Sequence, residues 1–445
     1  AKSTVNFFLG HQCKILRLTR KDWQQSVLNI LLPLPLLLLV RRKILRLYWG
    51  GCAIKCDEYM PVDAALFARE TQDFASLLGW RHHYFEMKTS FFCGKFVFLQ
   101  PQVSNLSQMK RILRIAVFAL TALCGGLHDA VAQDVPAPLY RDPITDGAAD
   151  PCLVYNPFEK AWWMLYTQRR ANAETGDVAY CYGNAIGIAY SEDNGRTWRY
   201  RGTLDLDFER GHNTFWAPDV VLHNGVYHMF VSYIRGVSIH WSGTATMMHY
   251  TSKNLWDWKC EGPVKLPVDN VIDATLIQKP DGEWRMWYKW DSKSLYADSK
   301  DLFNWKGDTK PAVSDKPHEG AKAFRFKDSY WFVTDEWQGM GVYKSSDLEH
   351  WTKQPGLILD GPSRRADDGP SGSHGDVVVT GDKAYIFYFT HPGRRFHTAD
   401  HHDNNGNIPY EMRRSSIQVA ELDVVDGSLV VKDRNQPFTI FLPNK

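Results

Sequence analysis

The sequence predicts an all-β fold, a five-bladed β-propeller. The main observation is a strand pattern that occurs five times, in which an aromatic residue is followed two positions later by Met or Phe. The five cores are Trp162–Met164, Tyr227–Met229, Trp284–Met286, Tyr330–Phe332 and Tyr385–Phe387. Short alternating strands separated by turns are typical of blades, and long amphipathic helices, which a parallel α/β fold would require, are missing from the pattern. We expect these aromatic strands to be the inner strands of five blades.

A second repeat predicts the outer edge of the blades. A Ser and an Asp or Asn that close a turn are followed by a Trp that packs between sheets, an arrangement that stabilises a hairpin. The copies are Ser191–Trp198, Ser252–Trp258, Ser299–Trp305 and Ser346–Trp351. The repeats together place the propeller at residues 133–445, and the segment after Gln133 is expected to help close the ring.

The N-terminal third is a different kind of sequence. Residues 109–132 carry a basic start, the short apolar run 115–123 and an Ala-x-Ala sequence ending at Ala132, as in a secretory signal peptide. We therefore predict a secreted or periplasmic protein that is cleaved near Ala132 and has no stable membrane insertion in its mature form. Residues 1–108 are predicted to be a non-native upstream extension or a disordered leader. A membrane anchor at residues 28–40 is the alternative.

Composition and charge indicate which classes of partner to expect. The chain has 445 residues, of which 44% are apolar and 13% aromatic, and a formal net charge of +2. This near-neutral balance gives no reason to expect a nucleic-acid partner. Amphipathic aromatic rings line carbohydrate sites, so the aromatic content favours a sugar ligand, although most of these rings are expected in the core.

The repeat also serves to locate a site. Eleven positions before the leading aromatic residue, or twelve in the first copy, stand Asp150, Trp216, Asp273, Glu319 and His374. Equivalent positions of propeller blades converge on the axis, so we expect three carboxylates, an indole and an imidazole to meet there.

Three convergent carboxylates suit hydrolysis of a glycosidic bond. One carboxylic acid protonates the leaving oxygen, and a carboxylate on the other side activates water. A third carboxylate raises the pKa of the acid by like-charge repulsion. The longer Glu319 is the predicted general acid, Asp150 the general base and Asp273 the pKa modulator.

These residues also carry a resemblance. Asp150-Pro151, Phe215-Trp216-Ala217-Pro218-Asp219, Ile272-Asp273 and Glu319-Gly320 resemble, in order, the motifs of family 43 glycoside hydrolases and related five-bladed propeller enzymes. The resemblance covers roughly residues 140–440. It implies the same three catalytic roles, hydrolysis with inversion, and a plant or algal oligosaccharide as substrate, with exo action expected.

His318, directly before Glu319, opens an alternative. A His-Glu-Gly sequence is similar to family 117 enzymes that act on 3,6-anhydro-L-galactose, and it would make His318 the general acid. A non-catalytic carbohydrate-binding propeller is a further alternative. We expect Trp216 and Trp337 to stack on sugar rings, and His318 and His374 to contact the substrate.

His374 and the segment 391–414 raise the question of a metal. The resemblance leaves an axial calcium ion near His374 open beside a simple buried histidine, and no cofactor is predicted to be required. The histidines of 391–414 fit no standard zinc spacing, so no metal site is predicted there, and a solvated insertion at the rim is favoured. If the insertion reaches the substrate, Arg414 is the predicted contact and suits an acidic sugar.

Overall fold

The computed structural model describes residues 134–395 and 400–444, and the backbone of four strands nearer the N-terminus. The chain divides into two compact units, 1–127 and 128–445. In the first unit, two antiparallel hairpins are formed by β1 (Ser3–Leu9) with β2 (Gln12–Leu18) and by β3 (Arg81–Thr89) with β4 (Phe92–Gln100). The predicted signal peptide 109–132 and the alternative anchor at 28–40 lie outside the described residues, and the nature of 1–108 stays a prediction.

The second unit confirms the five-bladed β-propeller. It consists of five antiparallel sheets of four strands, each formed by strands consecutive in sequence. Blade I contains β5 (Ala148–Asn156), β6 (Ala161–Gln168), β7 (Ile186–Ser191) and β8 (Arg199–Thr203). Blade II contains β9 (Thr214–His223), β10 (Val226–Ile234), β11 (Thr246–Ser252) and β12 (Lys259–Pro263). Blade III contains β13 (Ile272–Gln278), β14 (Trp284–Trp290), β15 (Lys293–Ser299) and β16 (Lys306–Gly307). Blade IV contains β17 (Glu319–Phe326), β18 (Ser329–Asp335), β19 (Met340–Ser345) and β20 (Thr352–Lys353), and blade V contains β21 (Ser373–Thr380), β22 (Lys383–Thr390), β23 (Ser416–Val425) and β24 (Ser428–Val431).

The aromatic strands are the second strand of each blade, so their prediction as inner strands was wrong. They are β6, β10, β14, β18 and β22, and the innermost strands are the ones that precede them. A second strand packs against neighbouring blades on both of its faces, which is why Trp163, Trp287 and Trp331 are buried there. The first strands meet around the axis and are free to carry polar residues.

The outer turns form as predicted. In blade II, Ser252 Oγ accepts a hydrogen bond from Leu255 N at 2.9 Å, and Trp258 Nε1 donates to Leu255 O at 2.8 Å. In blade IV the capping serine is Ser345, not Ser346, because Ser345 Oγ accepts from Leu348 N at 2.9 Å.

Both ends of the second unit close the ring. Val135 N donates to Phe438 O at 3.0 Å, and Tyr140 pairs with Ile417 of β23. The tail after blade V returns to blade I, where Leu442 N donates to Asn194 O at 2.9 Å. In the described part of the chain, no helix has the length and apolar character that crossing a bilayer requires.

An ion triad lies between the first strands. Lys322 Nζ is 2.8 Å from Asp219 Oδ1 and 2.9 Å from Asp376 Oδ1, and both aspartates are buried. Leu276 N donates to Asp219 Oδ2 at 2.8 Å, and Leu153 N donates to Asp376 Oδ2 at 2.7 Å. Each of the five blades therefore contributes a backbone or side-chain group to this triad.

A buried histidine pair in blade II predicts loss of stability in acid. His228 Nδ1 lies 3.0 Å from His249 Nε2, and burial lowers the pKa of His249 to about 3. The unfolded chain takes up this proton near pH 6.5, whereas the folded chain resists it, so stability is complete above pH 6.5 and is lost as pH falls towards 3. The slope is about 1.4 kcal/mol per pH unit. Urea unfolding from pH 7 to 4 should show a shallower slope for His249→Gln than for the parent; equal slopes would contradict the prediction.

Candidate active site

The first strands are distorted where they begin, at the mouth of the axis. Each has an irregular register against its second strand at this point. In four blades the distorted residue has a positive φ: 50° at Asp150, 45° at Ala217, 57° at Asp273 and 55° at Gly320. Non-glycine residues rarely adopt this conformation, and such strain is concentrated at functional sites.

Hydrogen bonds between blades fix the equivalent positions. Ala217 N donates to Thr167 Oγ1 at 2.8 Å, Asp273 N to Ser232 Oγ at 3.1 Å, and His374 N to Asp335 Oδ2 at 3.0 Å. The equivalent residues are therefore Asp150, Ala217, Asp273, Gly320 and His374. The sequence count led to Trp216 and Glu319, which stand one position before the equivalent residues Ala217 and Gly320. The count is off by one there because turns and bulges between the first two strands differ in length.

Asp150 is a buried carboxylate held by two cations. Its Oδ2 lies 3.4 Å from Arg169 Nη2, and its Oδ1 lies 3.5 Å from His374 Nδ1. Burial raises the pKa of Asp150, but Arg169 and His374 outweigh this effect and lower it to about 2. Asp150 is thus ionised over the physiological range.

Asp273 is buried in a more acidic environment. Its Oδ2 accepts a hydrogen bond from Gly320 N at 3.0 Å, which links blades III and IV. Burial, with repulsion from Glu319 and Asp150, raises its pKa to about 6, although His374 opposes the shift. Asp273 therefore senses the charge on both other carboxylates.

Glu319 is the most exposed of the three acids, with a third of its side-chain surface accessible. Trp337 Nε1 donates to Glu319 Oε1 at 3.0 Å, and Lys289 Nζ lies 3.4 Å from Oε2. Trp337 itself is half exposed and has a φ of 63°. The carboxyl group is thus held at the mouth, where it is open to a ligand.

His374 links the carboxylates. Burial lowers the pKa of its imidazole, but Asp150, Asp273 and Asp335 outweigh burial and raise it to about 9. Asp335 is also buried, and burial with the neighbouring Glu319 raises its pKa to about 7. Among the described residues, no group of three or more His, Cys, Asp or Glu side chains is arranged to hold a metal ion. The axial calcium ion considered near His374 stays a prediction.

The other predicted site residues lie in different surroundings. Trp216 is half-buried, its Nε1 donates to Cys181 O at 2.6 Å, and its ring meets the Tyr182 ring edge-on at 5.1 Å. His318 is completely buried, with Nε2 2.8 Å from Ser294 Oγ and Nδ1 2.8 Å from Lys316 O. The guanidinium of Arg414 lies 2.7 Å from Asp367 Oδ2 and 3.4 Å from Asp146 Oδ2. The structure therefore brings Trp337 and His374 to the three acids, but not the side chains of His318 and Arg414.

Three residues of the site were missed: Arg169, Lys289 and Asp335. A signal for two of them existed, because the residue five positions after each leading aromatic is polar in all five blades. These residues are Thr167, Ser232, Lys289, Asp335 and Thr390. Counting five positions forward from the leading aromatic residue therefore locates the residue of each second strand that lies at the mouth. Arg169 lies beyond the repeat, and nothing in its sequence context marks it.

The fold and the geometry of the site define a class of protein: five-bladed propellers with acidic side chains at the axial mouth. No protein-family model matches the sequence, and no curated protein sequence matches it significantly. Among solved structures, a thermostable family-43 glycoside hydrolase is 18% identical; the match covers 69% of this chain and 100% of that chain, with a TM-score of 0.51. An exo-1,5-α-L-arabinanase from a bovine ruminal metagenomic library is 17% identical over 66% of this chain and 99% of its own, with a TM-score of 0.46. A family-43 β-1,3-galactosidase is 14% identical over 67% and 99%, with a TM-score of 0.49. The chain shares the fold of the family-43 glycoside hydrolase.

Proposed function

We propose that this protein is a glycoside hydrolase that cleaves plant or algal oligosaccharides with inversion. The observation that carries the proposal is the convergence of Asp150, Asp273 and Glu319, from three blades, on one strained axial mouth. A propeller that only binds sugars has no use for three clustered carboxylates, one of which has a pKa raised by burial and by the other two. The non-catalytic alternative is therefore less well supported.

The three environments suit three different roles. Asp150 stays ionised, as a general base must, and would take a proton from the attacking water. Glu319 is the general acid, since it alone of the three is substantially exposed and can meet a leaving oxygen. Asp273 is the proposed pKa modulator, since burial and repulsion from Glu319 and Asp150 raise its own pKa to about 6. Arg169 and His374 are positioning residues that hold Asp150.

His318 is a weaker candidate for the acid. Burial lowers the pKa of its imidazole, and both ring nitrogens already have partners within the protein. Burial disfavours the imidazolium form that a general acid needs, and both ring nitrogens are occupied inside the protein. Family 117-like activity on 3,6-anhydro-L-galactose therefore rests on the His-Glu-Gly sequence alone.

Location and partners follow from the same proposal. The signal-peptide pattern at residues 109–132 supports secretion or delivery to the periplasm, where an extracellular oligosaccharide would be met. Trp337, and Trp216 through its accessible face, are the proposed contacts for sugar rings.

Product stereochemistry tests the proposal. The purified protein should release sugar from at least one member of a panel of aryl glycosides and agar, arabinan and xylan oligosaccharides. Proton NMR during the first minutes should show the anomer opposite to that of the substrate, because water activated by Asp150 attacks the face opposite the leaving group that Glu319 protonates. A retained anomer would contradict the base role of Asp150, and a panel without any hydrolysis would contradict the enzyme itself.

A further inference from the structure

The segments that border the axial mouth are unequal in length. Between the second and third strands, the chain runs through 169–185 in blade I, 235–245 in blade II and 391–415 in blade V. The corresponding segments are only 291–292 in blade III and 336–339 in blade IV. We call the described part of the three long segments the wall: residues 169–185, 235–245, 391–395 and 400–415. The mouth is thus walled on the side of blades V, I and II.

Two other long connections, 308–318 and 354–372, do not extend the border of the mouth at blades III and IV. The connection 308–318 pairs with the third strand of blade III, where Ala312 N donates to Ser294 O at 2.8 Å. The connection 354–372 pairs with the third strand of blade IV, where Ile358 N donates to Met340 O at 2.9 Å. The first part of each connection therefore runs beside a third strand, and residues 366–367 of the second lie against blade V, on the side of the wall.

One carboxylate ties the wall together. Asp177 of blade I has Oδ2 2.7 Å from His240 Nδ1 of blade II and Oδ1 2.8 Å from His402 Nε2 of blade V. A second link joins Arg394 Nη2 to Tyr180 Oη at 2.8 Å. The segment 391–414 is thus part of a connected structure, and the sequence-based picture of a solvated insertion holds only for some of its side chains.

The foot of the wall reaches the acids. Ile408 is buried in one apolar cluster with Tyr180 and Tyr182, and the partly buried Trp216 and Ile272 pack against the same cluster. Trp216 and Ile272 stand directly before Ala217 and Asp273, two of the strained positions of the mouth. The wall therefore begins beside the carboxylates.

The proposed acid lies on the other side of the mouth. Glu319 and Trp337 belong to blade IV, where the border is short, and the leaving group must lie against the acid. We propose that the site is a one-ended pocket: a single terminal sugar rests against the wall, and the rest of the chain leaves over blades III and IV past Trp337. The enzyme would then be exo-acting. This inference rests on the proposed function.

End-blocked oligosaccharides test the one-ended pocket. The probes are xylotetraose, arabinotetraose and an agar tetrasaccharide, each intact and with its non-reducing terminal sugar methylated, alongside aryl glycosides. Early products from an intact probe should be one monosaccharide and a chain shortened by one unit. The added methyl group should slow cleavage by about 10–200-fold, since it meets the wall. Early internal cleavage, or equal rates on blocked and intact probes, would overturn the inference while leaving the glycosidase assignment in place. Failure to hydrolyse any probe would overturn both.

Variants then assign the blockage to the wall. Asp177→Ala removes the carboxylate that contacts His240 and His402 on two other blades, and it should move the ratio of blocked to intact rates towards one. Phe158→Ala, which removes an exposed side chain from the turn between β5 and β6, at the opposite ends of these strands from the mouth, is the matched control and should leave the ratio unchanged. An unchanged ratio in a folded Asp177→Ala variant would contradict the role given to this carboxylate in holding the wall.

Discussion

Replacing Glu319 by glutamine is expected to lower kcat on an unsubstituted oligosaccharide by about 10²–10⁴-fold. The variant cannot protonate a sugar leaving group, which departs poorly as an alkoxide. The loss should be much smaller on a dinitrophenyl glycoside, because dinitrophenolate leaves without a proton. Since glutamine keeps an acceptor for Trp337 Nε1, KM should change little. Steady-state kinetics on the two substrates measures the contrast.

Two further variants make the result specific. Asp150→Asn should lose activity on both substrates alike, since water must be activated whatever the leaving group is. His318→Gln should change kcat by only a few fold if the protein stays folded, which thermal unfolding checks. A dependence on the leaving group in the His318 variant, with none in the Glu319 variant, would transfer the acid role to His318.

The three acids could be predicted from sequence because a propeller repeats its geometry. Each blade carries its axial residue at a similar distance from an aromatic strand, so counting along the chain replaces distance in space. In blades II and IV the count led to Trp216 and Glu319, one position before the equivalent residue, because the turns and bulges of these blades differ from those of the others. These local irregularities follow from hydrogen bonds to the next blade, such as Ala217 N to Thr167, and no periodic pattern records them.

The charges that tune the acids were harder to predict. Arg169 follows the end of β6, and its contact with Asp150 depends on the path of the chain after the strand. The wall is also set by such paths, since Asp177, His240 and His402 are far apart in sequence and meet only through their segments. Patterns of apolar residues predict strands and cores, but a loop contact depends on tertiary structure that leaves no periodic trace.

Lys322 is the residue whose loss should most damage the fold. Its ammonium lies between Asp219 and Asp376, two buried carboxylates that belong to different blades. Removal of one partner from a buried ion pair costs about 3–5 kcal/mol, because a charge is left without compensation in a poorly solvated place. Here two such charges would face each other.

Lys322→Met is therefore expected to lower the free energy of unfolding by at least about 3–5 kcal/mol at pH 7, measured by urea denaturation. The unpaired carboxyls should have raised pKa values in the folded variant, so the deficit should shrink as pH falls and they become protonated. Adding Asp219→Asn and Asp376→Asn should restore much of the stability, since an amide oxygen still accepts the hydrogen bonds from Leu276 N and Leu153 N. A deficit that is the same at pH 5 and pH 7, or a triple variant no more stable than Lys322→Met, would show that the triad is not what joins the blades at the axis.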